Sequence, residues 1–415
     1  MPRTQGRIHR DGLTSTATVL VSALEAAQKD NETAETLTHP FHSYPARLHP
    51  ATAKVLVEFV AEGAGRTQPL VDPFCGSGTV LVEARAAGLR ATGVDLNPLA
   101  ILIARAKTWT VPPRRRRELG ETAHSIASAA LAAGKAARRA GAGADPAPLR
   151  KVTGFDPNAR NRRLASWFAP HVRRELEDLA ARLDDLRARD AELADVLTAC
   201  LSAILYKVSS RTSDTDPTWV ARNVARGQAA RLFAQRVDLL VAGLDDLSRI
   251  HAPVPEVFEH DVRKLAEVVP AGTAAGVITS PPYAGTYDYA EHQRLRFDFL
   301  GLRHRDFDAG ELGSRRAFEE DAPEAHRRWK KALAGIVDRI TTALAPGRLA
   351  AIVLGDSVAR GRALYALDDL REALTGDVVI EAWASQERPM LGNVERRAFG
   401  DRPKAEHIVV LRRTS

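Results

Sequence analysis

The feature that most constrains the fold is an apolar stretch that runs into a glycine loop and then into a helical pattern. It spans residues 71–79, with the order Val-Asp-Pro-Phe-Cys-Gly-Ser-Gly-Thr, and the helix is predicted from Thr79 to Ala87. A glycine loop between a strand and a helix lets the backbone N–H groups approach a ligand closely. The pattern therefore predicts an α/β fold with a ligand site where this strand ends.

The spacing to the next acid restricts the kind of ligand. Asp95 ends a second predicted strand, Ala91–Asp95, 19 residues after Gly76. An acid about 20 residues beyond such glycines can accept hydrogen bonds from two ribose hydroxyls. A nicotinamide dinucleotide site would need a third glycine where Leu81 stands, and a P-loop would need Gly-Lys-Ser or Gly-Lys-Thr. Both sites are excluded, and a glycine turn without a ligand is the structural alternative.

A second motif ends another apolar strand, which is predicted over Ala275–Thr279 and is followed by Ser280, Pro281, Pro282 and Tyr283. The serine hydroxyl and the carbonyl of the first proline can each accept one N–H of a planar amine, and proline offers no competing backbone donor. The tyrosine ring can stack on a base that has been flipped out of a duplex. The motif predicts a rigid platform for a planar amine.

Together the two motifs resemble those of S-adenosylmethionine (SAM)-dependent amino-methyltransferases, which methylate an exocyclic nitrogen of adenine or cytosine in DNA, or of guanine in some RNA enzymes. The resemblance covers residues 41–109 and 254–413. It implies SAM as the cofactor and gives the motif residues their roles. Those of the amine platform are Ser280, Pro281, Pro282 and Tyr283, and those around SAM are Phe41, Tyr44, Asp72, Phe74, Gly76, Gly78, Thr79, Asp95 and Asp261.

Strands that alternate with helices predict a parallel sheet covered on both faces. Seven strands are predicted, over 69–72, 91–95, 256–260, 275–279, 348–354, 378–384 and 407–411. The last two strands lack room for a crossover helix and are predicted to form an antiparallel hairpin. The expected fold is Rossmann-like class I, with a seven-stranded, mostly parallel sheet, an antiparallel edge hairpin and a large helical insertion.

The same pattern divides the chain into three parts. Residues 1–40 are predicted to form an N-terminal arm, 41–111 and 252–415 the SAM-dependent methyltransferase domain, and 112–251 a helical insertion. The insertion is a candidate target-recognition region, because Arg211 lies in a hydroxyl-rich segment and Arg222, Arg226 and Arg231 follow one helical pattern. Cationic groups of this kind suit phosphates. A solvated helix face with local ion pairs is the alternative.

Composition is consistent with a nucleic-acid partner. The chain has 59 Lys and Arg against 52 Asp and Glu, a formal net charge of +7, which suits a polyanion.

Methylation of a ring carbon would need a cysteine nucleophile. Cys75 lies in the glycine loop and Cys200 on an apolar helical face, so that chemistry is excluded. Two cysteines also provide neither a disulfide framework nor the spacing of a metal site.

The expected function is methylation of DNA at the amine of a flipped-out base. Cytosine N4 is favoured over adenine N6, because the platform begins with serine and residues 41–50 resemble the N-terminal motif of cytosine-N4 enzymes. The alternatives are an RNA guanine-N2 methyltransferase and a non-catalytic nucleic-acid-binding protein with this fold. The expected partners are DNA and, in a restriction-modification system, a cognate restriction endonuclease. A cytoplasmic location is expected, because the sequence has no secretory signal and no apolar run of about 18 residues.

Overall fold

The computed structural model describes residues 6–414 except 31, 64, 66, 140–155, 213–217, 375, 377 and 401. The strands are β1 (Ile8–Gly12), β2 (Leu70–Asp72), β3 (Ala91–Asp95), β4 (Glu256–Glu259), β5 (Gly276–Thr279), β6 (Leu349–Gly355), β7 (Ser357–Ala359), β8 (Arg362–Leu364), β9 (Val378–Glu387) and β10 (Ala405–Arg413). The helices of the first half are α1 (Thr14–Lys29), α2 (Pro50–Val60), α3 (Thr79–Ala86), α4 (Pro98–Lys107), α5 (Pro113–Arg139), α6 (Pro157–Trp167), α7 (Pro170–Arg187), α8 (Ala191–Ser202) and α9 (Gln228–Ser248). Those of the second half are α10 (Tyr289–His292), α11 (Arg294–Leu300), α12 (Arg305–Gly310), α13 (Arg315–Glu320), α14 (Ala322–Ala343), α15 (Ala366–Ala373) and α16 (Asn393–Phe399).

Eight strands form one mixed sheet in the order β1-β9-β10-β6-β5-β2-β3-β4, and β7 pairs with β8 in a separate hairpin. The pairings among β6, β5, β2, β3 and β4 are parallel. β10 pairs antiparallel with β6 and with β9, and β1 pairs antiparallel with β9. The predicted α/β class and mostly parallel sheet are confirmed.

The predicted count of seven strands is wrong, because β1 adds an eighth from the segment interpreted as an N-terminal arm. The β9–β10 hairpin is antiparallel as predicted, but it does not form the edge, since β1 covers β9. β1 carries no apolar alternation: Ile8, Arg10 and Gly12 share one face, His9 and Asp11 share the other, and four of the five residues are exposed. β1 is held by its pairing with β9 and by contact with α1. Helix α1 packs in turn on α2 and on β9.

The ends of the parallel strands are fixed by buried segments and by helix caps. β2 and β5 are buried along their whole length, as expected for strands covered on both faces. Asn97 caps α4, since its side chain accepts a hydrogen bond from the backbone N–H of Leu99 at 2.9 Å, and Pro98 occupies the first helical position. As a result, the polar residues after β2, β3, β4 and β5 lie at one edge of the sheet.

The helical insertion packs directly on the α/β part of the chain. One apolar core joins Leu99 and Ile103 of α4 to Leu119 of α5 and to Phe297 of α11. The fully buried Arg160 of α6 donates hydrogen bonds to two backbone carbonyls at the end of α11, at 2.7 and 3.1 Å. The insertion therefore supports the segment that follows the Ser280–Tyr283 motif.

Candidate active site

The loops after β2, β3, β4 and β5 enclose a cavity at the carboxyl edge of the sheet. β2 pairs with β3 on one side and with β5 on the other, so the chain order reverses between β2 and β5. Ligands of open α/β sheets bind at such a reversal. Asp72, Asp95, Asp261 and Ser280, one residue from each of the four loops, line this cavity. We call it the acid-lined cavity.

Two glycines of the loop have positive φ angles, for different reasons. Gly76 (φ +49°) lines the acid-lined cavity, and a Cβ there would lie 3.6 Å from Cε1 of Tyr44. Gly78 (φ +79°) does not line the cavity, and a Cβ there would lie 3.0 Å from Cβ of Ala104 on α4. The first glycine admits a ligand to the backbone, whereas the second allows α3 and α4 to pack closely.

Asp95 holds the glycine loop in place. Its Oδ2 accepts a hydrogen bond from the N–H of Gly76 at 2.9 Å, and its Oδ1 accepts one from the N–H of Asn97 at 2.8 Å. Burial raises the pKa of Asp95 to about 6 despite these hydrogen bonds. A carboxyl group in this position can accept further hydrogen bonds from a ligand in the cavity.

Asp72 links β2 to β5. Its Oδ1 accepts hydrogen bonds from Thr279 Oγ1 at 2.8 Å and from the N–H of Phe74 at 3.2 Å. Burial raises the pKa of Asp72 to about 7. Because two carboxyl groups with raised pKa values face one cavity, a positively charged ligand would favour their ionised forms.

Asp261 has a strong partner of its own. Burial opposes its ionisation, but hydrogen bonds from the side chain and the backbone of Arg263 lower its pKa. Asp261 lines the acid-lined cavity, with its carboxylate engaged by that arginine.

Two hydroxyls of the glycine loop fit the polar groups of SAM. Ser77 Oγ and Thr79 Oγ1 are buried and have no hydrogen-bond partner within the part of the chain that the structure describes. Both residues line the acid-lined cavity. Buried polar groups are ordinarily paired, so these hydroxyls are suited to a polar ligand. With Asp95 able to accept ribose hydroxyls, the residues present fit SAM.

The N-terminal motif covers the cavity. Tyr44 lies over Gly76, and its hydroxyl accepts a hydrogen bond from Asn97 Nδ2 at 3.0 Å. Ala46, which also lines the cavity, has a left-handed backbone with φ +54°, a conformation that costs energy in a residue other than glycine. Phe41 does not line the cavity, because it is fully buried in the core shared with α4 and the insertion. The structure thus places Phe41 outside the cavity that contains most of the other predicted SAM residues.

A second cavity adjoins the first, and we call it the aromatic cavity. Its lining includes Tyr283, Tyr287 and Tyr289, together with the polar residues Gln28, Arg388 and Glu406. Ser280, Tyr44 and Tyr289 line both cavities. Gln28 Nε2, from α1, is buried and has no acceptor among the described residues. This cavity combines flat rings with an unsatisfied donor, which is suited to a planar base.

Tyr283 is fixed at the wall of the aromatic cavity. Its ring lies on Gly355, where a Cβ would be 2.4 Å from Cε2 of the ring. Its hydroxyl donates to Glu406 Oε1 at 3.3 Å and lies 3.5 Å from Ser280 Oγ. Arg388 forms an ion pair with Glu406. Burial and the neighbouring Glu406 raise the pKa of Tyr283 well above its usual value, so the phenol stays protonated.

The other motif residues have separate positions. Phe74, Thr79 and Pro282 line the acid-lined cavity, as does Ser280. Pro281 is buried and lines neither cavity. The structure thus brings together most of the predicted SAM residues, and it separates Phe41 and Gly78 from them.

The basic residues of the insertion are not arranged as the sequence pattern predicts. Arg222 and Arg226 precede α9, which begins after Gly227 (φ +77°), so the predicted single helical pattern is wrong. Arg222 donates hydrogen bonds to backbone carbonyls at 2.8 and 3.0 Å. Arg211 lies over the ring of a tryptophan at 5.1 Å, and Arg231 donates to the carbonyl of Arg226 at 3.1 Å. These contacts engage Arg211, Arg222 and Arg231 within the insertion itself.

Cys75 and Cys200 are both buried, and burial raises the pKa of each thiol above its usual value. Neither is suited to act as a nucleophile. Among the described residues, no group of His, Cys, Asp and Glu side chains could hold a metal ion, and no helix is long and apolar enough to cross a membrane.

Comparisons with known proteins identify part of the chain. Residues 40–134 match the family UPF0020 (RMKL-like, methyltransferase domain), which confirms the predicted resemblance to methyltransferases. Over 97 residues the chain is 39% identical to the Type II methyltransferase M.MvaI of Kocuria varians, a match that covers 23% of this chain and 21% of that protein. Two structures of the rRNA methyltransferase aviRa from Streptomyces viridochromogenes align over 94% of this chain and 95% of theirs, with 12% identity and TM-scores of 0.32 and 0.34. Scores this low support no argument about function.

Proposed function

From the methyltransferase domain that residues 40–134 match, we propose that this protein transfers a methyl group from SAM to an exocyclic amine of a flipped-out DNA base, with cytosine N4 favoured over adenine N6. The position of Ser280, which lines both cavities, carries the proposal. A cofactor in the acid-lined cavity and a base in the aromatic cavity would meet at this residue. No other residue of the Ser280–Tyr283 motif lines both cavities.

The acid-lined cavity would hold the cofactor, which supplies an electrophilic methyl group on a sulfonium. Asp95 would accept the ribose hydroxyls, and the hydroxyls of Ser77 and Thr79 would bind polar groups of the methionine part. Asp72 and Asp95 would lose their protons more readily beside a positive charge, because the ionised carboxylate is favoured there. The ionised carboxylates of Asp72 and Asp95 would therefore balance the positive charge of the bound cofactor.

The aromatic cavity would hold the base. Ser280 Oγ would accept a hydrogen bond from one amine N–H, which favours a nitrogen lone pair that is free to form the new bond. The carbonyl of Pro281, the predicted second acceptor, belongs to a residue that lines neither cavity. Tyr283 remains protonated and serves as a ring surface and a donor. Gln28 Nε2 would find an acceptor on the edge of the base. Transfer is direct, because neither cysteine lies at the platform.

The choice of DNA rests on the stretch that is 39% identical to a Type II methyltransferase, and the same likeness supports a cognate restriction endonuclease as partner. An RNA guanine-N2 methyltransferase is the second candidate, because its glycine loop is similar. Those enzymes usually have Asp-Pro-Pro-Tyr where this chain has Ser280. The division into arm, methyltransferase domain and insertion is part of the proposal.

The test measures label transferred from SAM to nucleic acid. Wild type, Ser280→Ala and Ser125→Ala are incubated with DNA duplexes or with RNA, and SAM affinity is measured by calorimetry. Loss of one acceptor should lower transfer to DNA by about 10- to 100-fold in Ser280→Ala, since such a hydrogen bond is worth about 1 to 3 kcal/mol. Ser125, which is exposed on α5, is the matched control. Equal transfer by both variants, or transfer to RNA alone, would contradict the proposal.

A further inference from the structure

The loops that continue from β6 and β9 form a second surface at the carboxyl edge of the sheet. β7 and β8 follow β6 directly, and α16 lies between β9 and β10. β9 ends at the same edge as β6, because each pairs antiparallel with β10. α16 packs against β8, and the rings of Phe399 and Tyr365 lie 5.8 Å apart. We call this the edge surface, and its exposed side chains are Arg360, Arg362, Leu391, Val394, Arg396 and Arg397.

The four arginines of the edge surface differ from the cations beside them. Arg388, Arg402 and Lys404 all form ion pairs with nearby carboxylates. The arginines at 360, 362, 396 and 397 are exposed and form no ion pair with any residue that the structure describes. A solvated face is ordinarily balanced by local ion pairs. Four arginines without carboxylate partners among the described residues therefore form a positively charged surface that is complementary to a polyanion.

Apolar side chains lie among these charges. Leu391 is 73% exposed and Val394 is 61% exposed. Arg360 (φ +48°) and Gly361 (φ +75°) form the two-residue turn of the β7–β8 hairpin, which presents the Arg360 side chain at its tip. Cations beside exposed apolar groups fit a partner that offers both phosphates and the apolar faces of sugars and bases, as nucleic acid does.

The edge surface and the aromatic cavity are lined by neighbouring parts of the chain, such as Thr286 and Tyr287. A groove lined by Thr286, Arg360 and Val394 runs from the segment after Tyr283 to α16. Arg388, at the end of β9, lines the aromatic cavity itself. A duplex on the edge surface would therefore lie beside the cavity proposed for the flipped base.

We propose that a DNA duplex docks on the edge surface, with its phosphates on the four arginines and with Leu391 and Val394 against the sugars and bases beside the flipped nucleotide. This inference rests on the proposed function. The main DNA contact would then lie on loops that connect strands of the sheet and not on the basic residues of the insertion. Of those residues, Arg222 donates hydrogen bonds to backbone carbonyls.

The experiment is a salt titration of affinity for a mixed-sequence DNA duplex, with calorimetric SAM affinity as the folding control. The first variant carries Arg360→Gln, Arg362→Gln, Arg396→Gln and Arg397→Gln. The matched control replaces four exposed cations outside the edge surface by Gln, at Arg90, Arg114, Arg117 and Lys331, none of which forms an ion pair among the described residues. The first variant should lower the salt slope by up to about 3.6, since each phosphate contact contributes about 0.9.

A second variant separates apolar contact from charge. Leu391→Ser with Val394→Ser should weaken duplex binding by on the order of tenfold for each side chain that is buried on binding, and the salt slope should remain parallel to that of wild type. Unchanged affinity in this variant would overturn the apolar part of the inference.

Failure of the inference and failure of the proposed function give different results. Wild-type protein that binds the duplex, with equal slopes for the first variant and its control, would overturn the edge surface and leave the proposed function standing. Wild-type protein that does not bind DNA, or binds only RNA, would overturn both. A shallower slope in the edge variant alone, with SAM affinity retained, is the expected result.

Discussion

Replacing Gly355 with alanine should impair methyl transfer without weakening SAM binding. An added Cβ would lie 2.4, 2.8 and 3.2 Å from Cε2, Cδ2 and Cζ of Tyr283, whereas carbon atoms in contact are about 3.5 to 4.0 Å apart. The ring must therefore move by roughly 1 Å. Its hydroxyl would then lose the 3.3 Å hydrogen bond to Glu406, which is the register partner of Gly355 on β10.

A displacement of about 1 Å can lower turnover on the order of 100-fold, and overpacking lowers stability by about 1 to 3 kcal/mol. Initial rates of label transfer give the first quantity, and denaturant unfolding gives the second. SAM affinity should be unchanged, since neither Gly355 nor Tyr283 lines the acid-lined cavity. Gly335→Ala is the matched control, because its Cβ would meet nothing within 4 Å. A wild-type rate in Gly355→Ala would show that the Tyr283 ring is not part of the substrate site.

Four further results are expected. Asp95→Ala should weaken SAM binding in calorimetry about 10- to 100-fold, at about 1 to 3 kcal/mol per lost hydrogen bond; unchanged affinity would remove Asp95 from the site. SAM affinity should rise from about pH 5 to about pH 8 and then level off, as the neutral carboxyl groups ionise. This follows from the pKa values of about 7 for Asp72 and about 6 for Asp95, and a flat profile would refute it. Tyr283→Ala should lower turnover on DNA while SAM still binds, because the lost stacking is worth about 1 to 3 kcal/mol. A wild-type rate would contradict this. Arg222→Ala should lower the free energy of unfolding by about 1 to 3 kcal/mol with an unchanged salt slope of DNA binding; a shallower slope at full stability would restore it as a phosphate contact.

The centre of the site could be predicted because local patterns encode it. Three of the parallel strands, β2, β3 and β5, end at a polar residue, at Asp72, Asp95 and Thr279. Strands that are parallel must end at one edge, so the acids and the Ser280 motif could be placed together before their distances were known. The 19-residue interval from Gly76 to Asp95 corresponds to a direct hydrogen bond of 2.9 Å.

The rest of the site depends on contacts that no local pattern reveals. Glu406 binds the hydroxyl of Tyr283 across 123 positions of sequence. Gln28 comes from α1, within the segment interpreted as an arm, and reaches the aromatic cavity only because β1 and α1 pack on β9. Such residues become visible only when the pairing of distant strands is known.

Two residue positions differ from what the local pattern indicates. The spacing of Arg222 and Arg226 resembles a helical face, but both residues precede α9, which begins at Gln228. Phe41 follows the family pattern, but its ring is buried by helices of the insertion. In both cases, contacts with distant segments determine where the residue lies, and a pattern read along one segment does not contain that information.

The central claim is that SAM and a base amine meet at Ser280, and identification of the methylated nucleoside tests it most directly. DNA and RNA treated with the protein and isotopically labelled SAM are digested to nucleosides and analysed by mass spectrometry. The expected result is labelled N4-methylcytosine, or labelled N6-methyladenine, in DNA, with loss of the signal in a Ser280→Ala variant that still binds SAM. Label in guanosine of RNA, on a ring carbon, or in no nucleoside would contradict it.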